Sequence, residues 1–309
     1  MKPRSENPTC RAWLRLRRNP AAMAGLCFGA IMVLAVLLGP PVLEWIHGDT
    51  YDKTSAAQYL PPSLRHPFGT DIHGRDLLTR VLYGGRISLA VGLVGATVSM
   101  TIGVLYGMIA GYFGGKIDEM MMRLVDILYS LPRIVFVMIL IASLTGYIKV
   151  VLQQWGMLDF LGLASILLLF VGLGIVEWLT MARIVRGQVL ALREKQFVLA
   201  AQSLGAGPLR IIFRHLLPNL TGIVVTYMTL TVPVVILEES FLSFLGLGIQ
   251  APLSSWGSLI SDGAAVINPV RVYWWLVLFP GAVMALSLMS LNFLGDGLRD
   301  AFDPKNRRS

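Results

Sequence analysis

Charged residues are scarce in this chain. Aspartate, glutamate, lysine and arginine together make up 14% of its 309 residues, whereas hydrophobic residues make up 55%. Soluble globular proteins contain about 25% charged residues, and the mean hydropathy of +0.67 also points away from them. The composition excludes an ordinary soluble domain and indicates a membrane protein. The net charge of +8 then reflects membrane topology, and we expect no nucleic-acid partner.

The residue patterns of catalytic and cofactor sites are also missing. The only cysteines, Cys10 and Cys27, are too few for a disulfide framework or a paired-cysteine metal site. Neither a GxSxG nor an HExxH motif occurs. A P-loop around Gly114-Gly115-Lys116 would need glycine at position 110 and serine or threonine at position 117, where the chain has alanine and isoleucine. We therefore expect no enzymatic site, no metal and no cofactor bound by this chain.

One cluster of potential metal ligands lies between the first two apolar runs, at His66, Asp71, His73 and Asp76. Their spacing matches no zinc or calcium pattern. The sequence instead predicts a hydrogen-bonded loop that caps the following helix.

Six apolar runs are long enough to cross a bilayer as helices. The first is too long for a signal peptide and lacks a small-x-small cleavage site. The sequence therefore predicts an all-α polytopic membrane protein with six transmembrane helices at about 24–46, 87–113, 128–144, 160–182, 220–240 and 274–293.

Lysine and arginine are distributed unevenly between the two sides that six spans define. One side has 18 of them and the other has seven, with Arg133 inside the third span. By the positive-inside rule, both termini and segment 197–219 lie in the cytoplasm. We predict five regions in chain order. They are a cytoplasmic segment at 1–22, a first span at 23–46, an extracytoplasmic loop at 47–86, a five-helix core at 87–297 that includes a cytoplasmic loop at 190–218, and a cytoplasmic tail at 298–309.

Glu177 is an acidic residue within the fourth predicted span. Arg183 follows six residues later, so we expect an ion pair between them or an interfacial position, and Arg133 is expected to extend towards the interface. Acidic residues near broken helices are typical of ion-coupled carriers. An ion-gradient-coupled secondary carrier is therefore the alternative function. Its pattern is only weakly present here, and no convincing inverted repeat occurs. The residues that suggest it are Glu177, Glu238, Glu239 and Pro233.

Glycine recurs every fourth residue in the second span, at Gly103, Gly107, Gly111 and Gly115. If the helix extends that far, the four form one stripe that lets another helix approach closely, since small residues favour helix packing in membranes.

Segment 197–219 carries Arg210, Arg214 and His215 between two apolar runs and cannot cross a lipid core. The sequence predicts a short helix, a break at Gly205 and a second helix that begins at Pro208. Ala200 and Ala201 are expected side by side at its surface, where small side chains would let another protein approach closely.

The letters LAAQSLGAGPLRIIFRHLLPN resemble the EAA loop of binding-protein-dependent ABC importers, although Leu199 replaces the family's glutamate and His215 its isoleucine. The match extends through HPFGTDIHGRDLLTRVLYGGRISL, GYFGGKIDEMMMRLVDILYSLP, ESFLSFLGLGIQAPLSSWGSLISDGA and NFLGDGLRDAFDPK. The chain resembles C-type permeases of the dipeptide, oligopeptide and nickel group, and the oligopeptide branch above all. The resemblance implies the type I importer (MetI-like) permease fold in a bacterial inner membrane.

The resemblance also implies a set of partners. These are a second, B-type permease that completes the pore, two cytoplasmic ATPases that hold ATP and magnesium, and an extracytoplasmic binding protein that delivers peptide. The implied site residues fall in two groups. ATPase coupling is expected at Ala200, Ala201, Gly205, Gly207, Leu217 and Pro218, and the translocation path at Glu239, Ser240 and Ser243.

Overall fold

The computed structural model describes residues 8–48, 50–157, 160–249, 253–267 and 271–302. Within these ranges the chain is helical, without a β-strand beyond isolated bridges. The helices are α1 Pro8–Arg18, α2 Pro20–His47, α3 Leu77–Phe113, α4 Gly115–Tyr129, α5 Arg133–Gln154, α6 Leu161–Arg193, α7 Gln196–Ser203, α8 Pro208–Ile211, α9 Leu217–Phe244, α10 Trp256–Ala265 and α11 Trp275–Phe302, with a π-helical turn at Ile212–Leu216 between α8 and α9.

The prediction of six membrane-spanning helices is confirmed. The helical stretches that are long and apolar enough to cross a membrane are Pro20–Ile46, Leu77–Phe113, Arg133–Gln154, Leu167–Arg193, Pro208–Phe244 and Trp275–Phe302. Helix α2 begins at an Asn19 cap, whose side chain accepts hydrogen bonds from two backbone N–H groups, and Pro20 follows at the first helical position.

Several predicted span boundaries are wrong, mostly because helices continue beyond the apolar runs. Helix α3 begins ten residues before the predicted start at 87, and α5 continues to Gln154, beyond the predicted end of the third span at 144. Helix α11 includes the polar residues up to Phe302. Water can solvate the polar turns at a helix end, so hydropathy marks the lipid-covered part of a helix and not its full length.

The loop between α2 and α3 caps α3, as the sequence predicts. The Asp76 carboxylate accepts from Thr79 N at 2.8 Å and lies 3.0 Å from His66 Nδ1. Asp71 accepts from Arg75 Nε at 2.7 Å and from an Arg80 guanidinium nitrogen at 2.6 Å. Among the described residues no group of three or more histidine, cysteine or acidic side chains could hold a metal ion.

Glycines allow α3 to lie almost in contact with α6. A Cβ on Gly103 would lie 2.6 Å from Met181 Cβ, and a Cβ on Gly107 would lie 2.5 Å from the carbonyl oxygen of Ala182. Gly111 meets α6 in the same way, one turn further along. Gly115, by contrast, lies beyond the end of α3, and a Cβ built on it would meet nothing within 4 Å. The stripe therefore contains three of the four glycines.

Both ends of the described chain meet at one end of the helix bundle. Leu16 in α1 and Ala22 in α2 pack against Ala301 near the end of α11. Phe302 also abuts Gly222 at the start of α9, so segment 197–219 lies at this same end. Helix α1 and the end of α11 therefore share a side, as six spans require, and the cytoplasmic orientation of that side stays a prediction.

We expect Gly107→Leu to lower the thermal unfolding midpoint of the detergent-solubilised protein, because overpacking a close contact costs about 1–3 kcal/mol. Gly187→Leu is the matched control, since a Cβ built on Gly187 of α6 would meet nothing within 4 Å. Equal midpoints for the two variants would show that the glycine contact between α3 and α6 does not stabilise the fold.

Asp71 provides a pH-dependent prediction. Burial would raise its pKa, but Arg80 and Arg75 outweigh that effect and hold the pKa of Asp71 below its ordinary value. Because the pKa of Asp71 is lower in the folded protein than in the unfolded chain, the ionised carboxylate stabilises the fold at pH values above the unfolded pKa of about 3.9. This stabilisation is lost as the pH falls through the folded pKa. We expect Asp71→Asn to destabilise the protein by about 3–5 kcal/mol at neutral pH. Thermal unfolding at pH 7 and at successively lower pH should show the difference shrinking, and a difference that grows in acid would contradict this assignment.

Candidate functional site

Segment 197–219 forms a short, bent projection from the helix bundle. Helix α7 ends at Ser203, and Gly205 then adopts φ +77°, a left-handed conformation that favours glycine. Pro208 opens α8 at its first helical position. The predicted order of helix, break at Gly205 and second helix is confirmed, and the π-helical turn before α9 was not anticipated.

Buried aliphatic side chains fix this projection to the transmembrane helices. Val198, Ile211 and Ile212 are almost completely buried. They belong to one core cluster with Met108 of α3 and Val185 and Val189 of α6. A force applied to the projection therefore acts directly on α3, α6 and the start of α9.

The outer side of the projection exposes large apolar side chains. Leu204 is 88% exposed and Leu209 72% exposed, on either side of the Gly205 break. The charge distribution predicts that this surface lies outside the lipid, and exposed leucines there would indicate a contact with another protein. The sequence analysis did not select them, although two leucines beside a glycine break within a polar segment are a signal for such a contact.

The predicted coupling residues divide between the two sides of the projection. Four of them are exposed and Leu217 is half-buried, but Ala201 is only 8% exposed and faces inward. The prediction that both alanines lie at the surface is wrong for Ala201, because successive residues of a helix point about 100° apart and cannot share one face. The exposed four are Ala200, Gly205, Gly207 and Pro218.

The three predicted path residues lie inside the chain, between α9, α10 and α11. Glu239 is fully buried, and its Oε1 accepts from Ser243 Oγ at 2.6 Å and from Ser255 Oγ at 2.7 Å. Ser255 caps α10, and Ser240 Oγ lies 3.3 Å from the Met284 sulfur. This arrangement ties α10 to α9, and a place for Glu239, Ser240 and Ser243 on the translocation path stays a prediction.

A second group of charged residues links α5, α6 and α9. Arg133 forms an ion pair with Glu177, and its Nε lies 3.2 Å from Glu238 Oε1. The expected pairing of Glu177 with Arg183 is wrong: Arg183 instead donates to Asp126 at 2.6 Å. Residues six apart project from different sides of a helix, whereas residues three or four apart share one. Arg133 likewise pairs with acids and does not simply extend towards the interface.

Comparison with known proteins matches most of the chain. Residues 103–308 match the family described as binding-protein-dependent transport system inner membrane component, and residues 7–62 match the N-terminal transmembrane domain of oligopeptide transport permease C. The oligopeptide transport system permease protein OppC of Escherichia coli K12 is 48% identical over 294 residues, which cover 95% of this chain and 90% of the relative.

Two further relatives are similar over nearly the same length. OppC of Haemophilus influenzae is 47% identical over 296 residues, covering 95% of this chain and 87% of the relative. The dipeptide transport system permease protein DppC of Bacillus subtilis is 45% identical over 297 residues, covering 96% and 86%. These similarities give no support to the alternative of an ion-gradient-coupled carrier.

Proposed function

Because the chain belongs to the family of inner membrane components of binding-protein-dependent transport systems, we propose that it is the C-type permease subunit of an ATP-driven importer of oligopeptides or dipeptides. It is a multi-pass protein of the bacterial inner membrane with six apolar helices. The observation that carries the proposal is the projection at segment 197–219, which exposes Leu204 and Leu209 while its base is built into the transmembrane core.

The proposal includes partners that supply what this chain lacks. A second, homologous B-type permease forms the other half of the pore, and an extracytoplasmic binding protein delivers the peptide. Two cytoplasmic ATPases bind ATP and magnesium, since the sequence around Gly114 does not meet the requirements of a P-loop. This chain contributes half of the path and one docking projection, and no catalytic residue.

Energy coupling follows from the way the projection is built. With segment 197–219 in the cytoplasm, the exposed leucines insert into a cleft of an ATPase, where burying each stabilises the contact by about 1.5–3 kcal/mol. Closure of the ATPase pair on ATP then displaces the projection. Because Val198, Ile211 and Ile212 pack on α3 and α6, the displacement rocks these helices between inward-open and outward-open states.

The docking role leads to a prediction for the exposed leucines. Leu204→Asp together with Leu209→Asp should reduce copurification of the ATPase from detergent extracts by about tenfold or more, because the charges must be desolvated in the cleft. Insertion and thermal stability of the permease should be unchanged, since both side chains are exposed and make little contact with the rest of the chain.

The matched control is Leu64→Asp, a fully exposed leucine in the extracytoplasmic loop. It should leave ATPase copurification unchanged. Ala200→Trp adds bulk at an exposed position of α7 and should also weaken docking, whereas Ala201→Trp would disturb the core. Full ATPase copurification with the double leucine variant would exclude this surface as the docking site.

Glu239 is proposed to contribute to the translocation path when the helices move apart. Its buried Oε1 already holds two serine hydroxyls, so opening of the contact between α9 and α10 would expose a carboxyl lined by hydroxyl groups. We expect Glu239→Ala to reduce peptide uptake in reconstituted vesicles. Unchanged uptake would assign Glu239 to the packing of α10 alone.

A further inference from the structure

Arg133, Glu177 and Glu238 meet where α5, α6 and α9 pack together. Gly95 is the central residue of α3, and its carbonyl oxygen lies 2.7 Å from a Cβ built on Gly174 of α6. Glu177 follows Gly174 by three residues. On α9, Val235 packs at 2.8 Å against the Cβ position of Gly95, three residues before Glu238. Glu177 and Glu238 therefore lie within one helical turn of the level of Gly95, the middle of α3.

The open side of this cluster cannot face lipid. The Arg133 side chain is 49% exposed, whereas those of Glu177 and Glu238 are 6% and 10% exposed. A charged side chain in contact with the hydrocarbon region is unfavourable even on insertion scales. In the assembled protein the exposed guanidinium must therefore meet water or another protein.

The cluster also contains two carboxylates and one guanidinium, so one negative charge has no positive charge to balance it. Glu177 takes the direct ion pair with Arg133. Glu238 has the 3.2 Å approach to Arg133 Nε and the neighbouring carboxyl group of Glu177, and neither of its buried oxygens accepts a hydrogen bond of good geometry. A carboxylate in this position lacks hydrogen-bond donors, and it favours a ligand that brings both donors and positive charge.

Next to Arg133 there is room for part of such a ligand. A cavity of about 460 Å³ lies between the junction of α4 and α5 and the facing side of α6. Aromatic and aliphatic side chains line it, including Tyr129, Phe136 and Trp178, and Arg133 is its charged member. Ligand pockets are typically about 300–1,000 Å³ and mostly apolar with few polar groups.

We propose that Arg133, Glu177 and Glu238 form a charged station on the translocation path, where Glu238 accepts the α-ammonium group of the passing peptide. The inference rests on the proposed function, because a peptide importer moves cargo that carries this group. The α-ammonium supplies one positive charge and three N–H donors, which is what the cluster lacks. Arg133 keeps the two carboxylates together before the peptide arrives, and the neighbouring cavity receives an apolar side chain.

Uptake measurements test the station directly. The complete complex is reconstituted in proteoliposomes with its binding protein and radiolabelled tri-alanine. Glu238→Gln keeps the shape of the side chain but removes its charge, and it should slow initial uptake about tenfold while ATP hydrolysis stimulated by the loaded binding protein persists. Glu119→Gln is the control, since Glu119 forms an exposed pair with Arg123 on α4, and its uptake should equal that of the wild type.

Uptake by Glu238→Gln at the wild-type rate would overturn the station. Absence of peptide uptake by the wild-type complex would instead refute the proposed function, so the two failures can be told apart.

Chemical accessibility gives a second test that needs no uptake. In a background with Cys10 and Cys27 replaced by serine, Arg133→Cys should react with a charged, membrane-impermeant thiol reagent during ATP turnover in the assembled complex. Val137→Cys, one turn further along α5, should not react, because Val137 is 2% exposed. Failure of Arg133→Cys to react would show that this face does not border water and would also overturn the proposal.

Discussion

The structure depends on the close approach of α3 and α6. A glycine stripe on α3 brings its backbone against Met181, Ala182 and Val189 of α6. In a membrane this contact cannot rely on the hydrophobic effect, because lipid tails are as apolar as the side chains, so dense packing has to hold the helices. The other elements that bear on transport attach to this pair. Helix α4 pairs Asp118 with Arg186 on α6, and α9 packs against α3 at Gly92 and Gly95.

A rigid central pair explains how a small projection can act on a large membrane domain. The buried base of segment 197–219 shares one core cluster with α3 and α6, and no flexible linker intervenes between α7 and that cluster. Packed cores transmit displacements and do not absorb them. The family's glutamate is replaced by Leu199, which is 48% exposed, so we expect the proposed docking to depend on apolar contacts of Leu204 and Leu209 and not on an acidic residue at position 199.

Much of the fold could be predicted from hydropathy and charge, because lipid imposes a strict rule on length and composition. The six spans, the cap at Asp76 and the break at Gly205 each follow from a local requirement of the backbone. The start of α3 and the ends of α5 and α11 could not be predicted, since polar helical turns outside the lipid leave no hydropathy signal.

The candidate site was harder to predict, because it depends on which faces of different helices meet. The inward position of Ala201 is set by the packing of α7, and the pairing of Arg133 with Glu177 joins residues 44 apart in sequence. Periodicity shows that side chains share a face but not what that face contacts. Glu177 was therefore recognised as an unusual residue, while its partner was wrongly assigned to Arg183.

The central claim is that ATP hydrolysis by docked partners, and not an ion gradient, drives peptide movement through this chain. The most direct measurement compares peptide uptake by the purified complex in vesicles supplied with ATP on the ATPase side or with an imposed proton or sodium gradient. We predict uptake that requires ATP, the binding protein and both permeases, and none driven by a gradient alone. Gradient-driven uptake by this chain without an ATPase would contradict the account.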